Sequence, residues 1–188
     1  MLQGKPSNYA IKRDLRRNTG FKPSFPSVGP LFWLLEVSHL SLANPFFSTI
    51  IGKSVADVWV DGYTLFLEFG DSFAATGKLA GMNIPNYELS LVIRSSWRIE
   101  QQKSILGGSG NDPKEWPILL KKIIGAKVTD IQLLGELPEI NVILSNGMRF
   151  SSFMTFRGQP DWALIARKPN LGCLCVRRGS LSVEPPDL

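Results

Sequence analysis

Few residues in this chain have types and spacings that suit chemistry. Asp57 and Asp130 each close a Val-x-Asp step, in SVADV and KVTDI. Two carboxylates can share acid and base work when their surroundings drive their pKa values apart. An aspartate early in a strand also bonds readily to its own backbone. An enzyme built on these residues therefore needs a pocket holding two acids with shifted pKa values. Ser–His–acid and Cys–His catalysis both need a histidine base. The chain has one, His39, in an apolar stretch, so neither mechanism is expected.

The densest cluster is Trp97-Arg98-Ile99-Glu100. In a strand, alternation places Arg98 and Glu100 together on one face, where they can pair, and turns Trp97 and Ile99 toward a core. Joined by Asp161 and Trp162, these residues would line a groove, so Trp97, Arg98, Glu100, Asp161 and Trp162 form the candidate binding set. Cys173 and Cys175 are expected as reduced thiols on opposite faces of a strand, with no bridge between them. No further Cys or His cluster accompanies them, so neither a metal nor a cofactor is expected. Gly107–Asp112, GGSGND, precedes an apolar run as phosphate loops do, but lacks the Gly-Lys-Ser/Thr ending that reaches phosphate and magnesium. It reads as a linker.

The elements that carry these residues are written twice. Ile50–Gly62 and Ile123–Gly135 share six of thirteen positions: Ile50/Ile123, Ile51/Ile124, Gly52/Gly125, Val55/Val128, Asp57/Asp130 and Gly62/Gly135. About one match is expected by chance at average residue frequencies. Each glycine ends an apolar run that reads as a short helix. In the second copy Pro117 opens it, and Leu119, Leu120, Ile123 and Ile124 share one face. In the first copy Asn44 caps and Pro45 opens. Strands follow in both: Val55, Val58, Val60 and then Leu65, Leu67, Phe69; Val128, Ile131, Leu133 and then Ile140, Val142, Leu144. Turns are expected at Gly70-Asp71 and Asn146-Gly147. ELSLVIRSSWRIE and MRFSSFMTF supply the next strands, and CLCVRRGSLSV closes as a hairpin around Arg178-Gly179.

The expected fold is α+β: a mainly antiparallel β roll or partly open barrel made of two tandem helix-plus-strands repeats with pseudo-twofold symmetry. Its domain spans residues 44–184, with repeats at 44–106 and 113–184 joined by the glycine-rich linker. Residues 1–43 form a basic arm and an apolar extension around Leu31–Leu35.

Composition narrows the function classes. The chain has 188 residues, enough for one domain with a real core. Residues 1–25 hold six Lys or Arg against one Asp, which equals the net charge of +5 of the whole chain. The remainder is neutral, so nucleic acid is expected only at the arm. Phe150, Phe153, Phe156 and Arg157 interleave aromatic and basic character only thinly. No stretch has the ~18 apolar residues that a membrane span needs, and reduced thiols suit a cytoplasmic location.

WRIE at Trp97–Glu100, Gly108, Ser109 and Asp112 of the following loop, Gly125 with Val128, Ile140 with Val142, Asn146-Gly147 and the late Trp162 together resemble the pattern of a family of small bacterial domains of unknown function. The resemblance spans roughly residues 48–184. Here the hairpin's acidic residue is displaced to Glu139, and Leu144 stands where the family has an aromatic. The resemblance implies the fold rather than an activity. By fold analogy alone it implies a non-enzymatic, protein-binding module of immunity or accessory type. The alternative is a small-ligand or nucleic-acid binding domain using the groove between repeats and the basic arm. A homodimer fits either reading.

Overall fold

A computed structural model of the chain describes residues 30–74, 86–94, 96–155 and 161–186, with side chains described from His39 onward. The basic arm, Phe156 and Arg157 lie outside these residues. The described part is β-rich and antiparallel, with two helices.

The first helix, α1 (Pro30–Ile50), is longer than the run after Asn44 suggests and passes through the expected boundary at residue 43. Pro45 sits inside it rather than opening it. Asn44 and Pro45 are exposed, so the residues that read as a start signal lie on its solvent face. Ala43, Phe46, Phe47 and Ile50 turn into the core. The helix stops at Gly52, whose φ of +84° is one that L side chains rarely adopt.

From there β1 (Val55–Asp61) pairs antiparallel with β2 (Thr64–Phe73), and β2 pairs with β3 (Asn86–Ile93). The expected turn at Gly70-Asp71 is instead a bulge inside β2. Gly70 takes a positive φ there, and the register to β3 shifts between Phe69 and Ser72. The continuous strand read from ELSLVIRSSWRIE divides. β4 (Trp97–Gln101) leaves the sheet of β3 and pairs with β5 (Ser104–Gly108) in a second sheet. Gly107 and Gly108 are therefore buried strand residues rather than linker. A Cβ at Gly108 would lie 2.5 Å from the Trp97 carbonyl oxygen.

The second half begins with α2 (Trp116–Leu120), a helix of five residues with Pro117 in its first turn. It tightens after Leu120: the amides of Lys122 and Ile123 donate to the carbonyls of Leu119 and Leu120 at 3.1 Å. Leu119, Leu120 and Ile123 are buried, but the tightened turn swings Ile124 outward to 48% exposure. Then come β6 (Val128–Leu134), β7 (Glu139–Leu144), β8 (Met148–Ser152), β9 (Trp162–Ala166), β10 (Gly172–Arg177) and β11 (Ser180–Glu184). The turns at Asn146-Gly147 and Arg178-Gly179 fall where the sequence places them, with positive φ at Gly147, Arg178 and Gly179.

The sheet order is β1-β2-β3-β9-β10-β11 in one layer and β5-β4-β8-β7-β6 in the other. Each sheet thus holds three consecutive strands of one half and the later strands of the other. Neither closes into a barrel among the described residues. Both halves bulge at the same step, between Val55 and Asp57 and between Val128 and Asp130. The core lies where the inner faces meet, around Leu67, Phe69, Leu91, Val142, Phe150 and Leu164, all fully buried. No helix of the described residues is long and apolar enough to cross a membrane.

Candidate functional site

The five candidate residues divide between packing and surface. Trp97 and Trp162 are 2% and 0% exposed, and both indoles belong to the core. Each donates its Nε1–H to a carbonyl in the first hairpin of its own half: Trp97 to Tyr63 at 2.8 Å, Trp162 to Pro138 at 2.7 Å. A buried indole needs such a partner, because its one donor has left water. Arg98 and Glu100 share the outer face of β4, as alternation predicts, and form an ion pair. The Arg98 guanidinium also lies 4.3 Å over the Phe153 ring. Asp161 is 5% exposed, and burial followed by the nearby Glu139 raises its pKa. Glu139 accepts bonds from the Ser152 hydroxyl and the Met154 amide. Among the described residues, no hydrogen bond or ion pair joins Asp161 to Arg98 or Glu100, which keep to the second sheet.

Asp57 and Asp130 serve their bulges. In each, Oδ1 accepts the amide of the next residue, Val58 or Ile131, at 2.8 Å. His39 is half-buried in α1.

A groove opens between β1 and α2. Its volume is about 630 Å³, and its walls include Trp59, Trp116, Pro117, Leu120, Lys121 and Ile124. Local packing fixes its aromatic floor. Trp116 is held by its Nε1–H to the Gly108 carbonyl at 3.1 Å, with Trp97 5.7 Å away and Tyr63 edge-on at 6.4 Å. Trp59 stacks on Phe66, with centroids 5.2 Å apart and planes within 7°. Lys121 gives the wall its charge. Volume and lining both suit an apolar guest with an acidic group. Sequence reading missed this groove. Trp59 and Trp116 were present as signals, but the α2–β1 contact that joins them lies between residues far apart in sequence.

Two further clusters stand on the outer face of the first sheet. Glu68, opposite Asp57 on β1 and Ser90 on β3, is 5% exposed. Burial raises its pKa to about 7, against the lowering effects of the Ser90 hydroxyl and Arg167 and with a further rise from Asp57. Arg167 donates to the Ser90 oxygen at 2.6 Å and to the Tyr87 carbonyl at 3.2 Å. The second cluster corrects the reading of the thiols. Residues two apart on a strand share a face, so Cys173 and Cys175 lie side by side on β10 rather than on opposite faces. Their sulfurs and a carboxylate oxygen of Glu184 all lie within 4.8 Å of one another. Burial, then the neighbouring Cys175 and Glu184, pushes the Cys173 thiol up to about 12.

No family model, curated protein or solved structure matches the chain.

Proposed function

We propose that the protein is a non-enzymatic binding module whose β1–α2 groove seats a segment of a partner protein rich in apolar side chains and carrying an acidic residue. The observation that carries this reading is the groove itself. About 630 Å³ of space lies against two tryptophans, Ile124 is 48% exposed on its wall, and Lys121 supplies the charge there. Exposed apolar side chains around a concave aromatic floor are what partner recognition uses. The volume also falls in the small-ligand range of roughly 300–1,000 Å³, so a small apolar anion is the second reading.

In this reading the two halves are copies of one helix-plus-strands unit, paired about a pseudo-twofold axis. The matched bulges, the paired glycines and the shared strand order support this. On the family resemblance, the partner class is a protein made alongside this one, in a cytoplasm that keeps the thiols reduced.

The test pans a random peptide library on the full chain, with anilinonaphthalene sulfonate as a competing probe. Selected peptides should combine apolar side chains with Asp or Glu, displace the probe, and lose binding about tenfold or more in Ile124→Asp and Lys121→Glu. Probe binding at the groove without any peptide selection would favour the small-ligand reading. Peptides that bind these variants as well as the parent would overturn the peptide reading, and a probe that binds them as well as the parent would overturn the small-ligand one.

A further inference from the structure

We propose that Cys173, Cys175 and Glu184 form a binding site for a thiophilic divalent cation, with zinc the ion whose preferred donors they match. This site is separate from the β1–α2 groove and does not depend on its role.

The geometry comes from the sheet. Cys173 pairs directly with Glu184 across the β10–β11 ladder, and Cys175 pairs with Ser182. Three ligand atoms thus come from one face of a two-strand ribbon whose register is fixed by backbone hydrogen bonds. They lie within 4.8 Å of one another. Tetrahedral zinc with bonds of about 2.3 Å to sulfur places its ligands about 3.8 Å apart. Side-chain rotation of about 1 Å closes that gap without moving either strand. A disulfide fits less well. Positions two apart on an extended strand have Cα atoms about 6.7 Å apart, at the far end of the range that disulfides accept.

The surroundings suit a metal. The Glu184 and Arg177 side chains are 44% and 58% exposed, so the ion has an entry path and room for a water as fourth ligand. Two thiolates and a carboxylate around a divalent ion leave one net negative charge. Arg177, whose Nη2 lies 2.5 Å from Glu184 Oε1, stands beside it to balance that charge. Glu184 keeps its second oxygen for the ion. The Ser182 hydroxyl, 3.4 Å from the Cys175 sulfur, can donate to that sulfur once it is a thiolate. Binding releases both thiol protons to solvent for each ion taken up.

Cobalt(II) serves as the probe, titrated into the full reduced chain after chelator treatment. One equivalent should produce a thiolate-to-cobalt charge-transfer band, release two protons, and be displaced by zinc. Cys173→Ser and Cys175→Ser should each lose most of the band and weaken binding about 100-fold, and Glu184→Gln about tenfold, with Arg177→Gln milder. Far-ultraviolet circular dichroism establishes that each variant is folded. No charge-transfer band in the folded parent overturns the proposal, as does a band that survives in the folded Cys173→Ser/Cys175→Ser double variant.

Discussion

The amide of Gly52 donates to the carbonyl of Val128 at 2.8 Å, and the amide of Gly125 donates to the carbonyl of Val55 at the same distance. The amides of Val55 and Val128 close the ring, bonding to the carbonyls of Ala126 and Lys53 at 2.9 Å each. These four bonds stitch the edge strands of the two sheets together at the Ser54–Lys127 bridge. Both glycines stand near φ +84°, and neither would bring a Cβ within 4 Å of another atom. The cost of Gly52→Ala or Gly125→Ala is therefore conformational alone, about 1–2 kcal/mol each. Urea unfolding of the two variants should give similar losses. A loss at one position and none at the other would show that the two steps are not mechanically alike.

Those glycines were legible because a backbone near φ +84° strongly favours a residue without a side chain, and the preference appears at both places where the conformation recurs. The alternating core faces, Leu65, Leu67 and Phe69 and then Ile140, Val142 and Leu144, were legible for a similar reason, since period two follows from the pleat. Other features depend on contacts that sequence does not print. Nothing in Arg94–Trp97 signals that the chain changes sheets there, because the step is made by hydrogen bonds to the other half: Arg94 N–H to Asp161 and Phe153 N–H to Ser96. Asn44-Pro45 carries the same local signal at a helix start and on the solvent face of a longer helix. Glu184 meets Cys173 only through the hairpin register.

Glu68 makes stability depend on pH. Its pKa rises from an ordinary 4.5 to about 7 in the folded chain, chiefly through burial. The folded state thus holds this proton more tightly than the unfolded state. The stabilisation is fully present below about pH 4.5 and is lost as pH rises to about 7, by roughly 3 kcal/mol in all. Glu68→Gln keeps the size and removes the titration. Urea unfolding between pH 4.5 and 8 should show the parent weakening and the variant nearly level. Equal slopes would mean that another group governs this range.

Trp116 joins the groove to the core, so two substitutions separate its roles. Trp116→Ala removes a side chain that is 6% exposed, along with its contacts to Trp97 and Tyr63. A loss of about 3–5 kcal/mol is expected, as for large-to-small changes in cores. Trp116→Phe keeps an aromatic floor and removes the indole bond to the Gly108 carbonyl, which retains the Asn111 amide at 3.1 Å, so the cost of the lost bond is about 0.5–1.5 kcal/mol. Thermal unfolding should rank parent, Phe and Ala in that order, and anilinonaphthalene sulfonate should still bind the Phe variant.

Gly172 links the backbone to the thiol cluster. Its φ is +88°, and a Cβ there would fall inside van der Waals contact with the Glu184 carbonyl oxygen, with Pro185 and Pro186 backbone atoms at 2.9 Å. These neighbours are backbone, so they cannot swing aside as a side chain would. Gly172→Ala should therefore force the start of β10 away from the end of β11, where Cys173 pairs with Glu184. The expected cost exceeds 2 kcal/mol, combining strain and overlap. Amide hydrogen exchange should quicken at Cys173 and Glu184 while β2 and β7, remote from the overlap, keep their protection. Cobalt uptake should fall with it although all three ligands remain. A variant that exchanges like the parent would show that the strand ends part without cost, and would leave the φ of +88° as the sole reason for a glycine at this position.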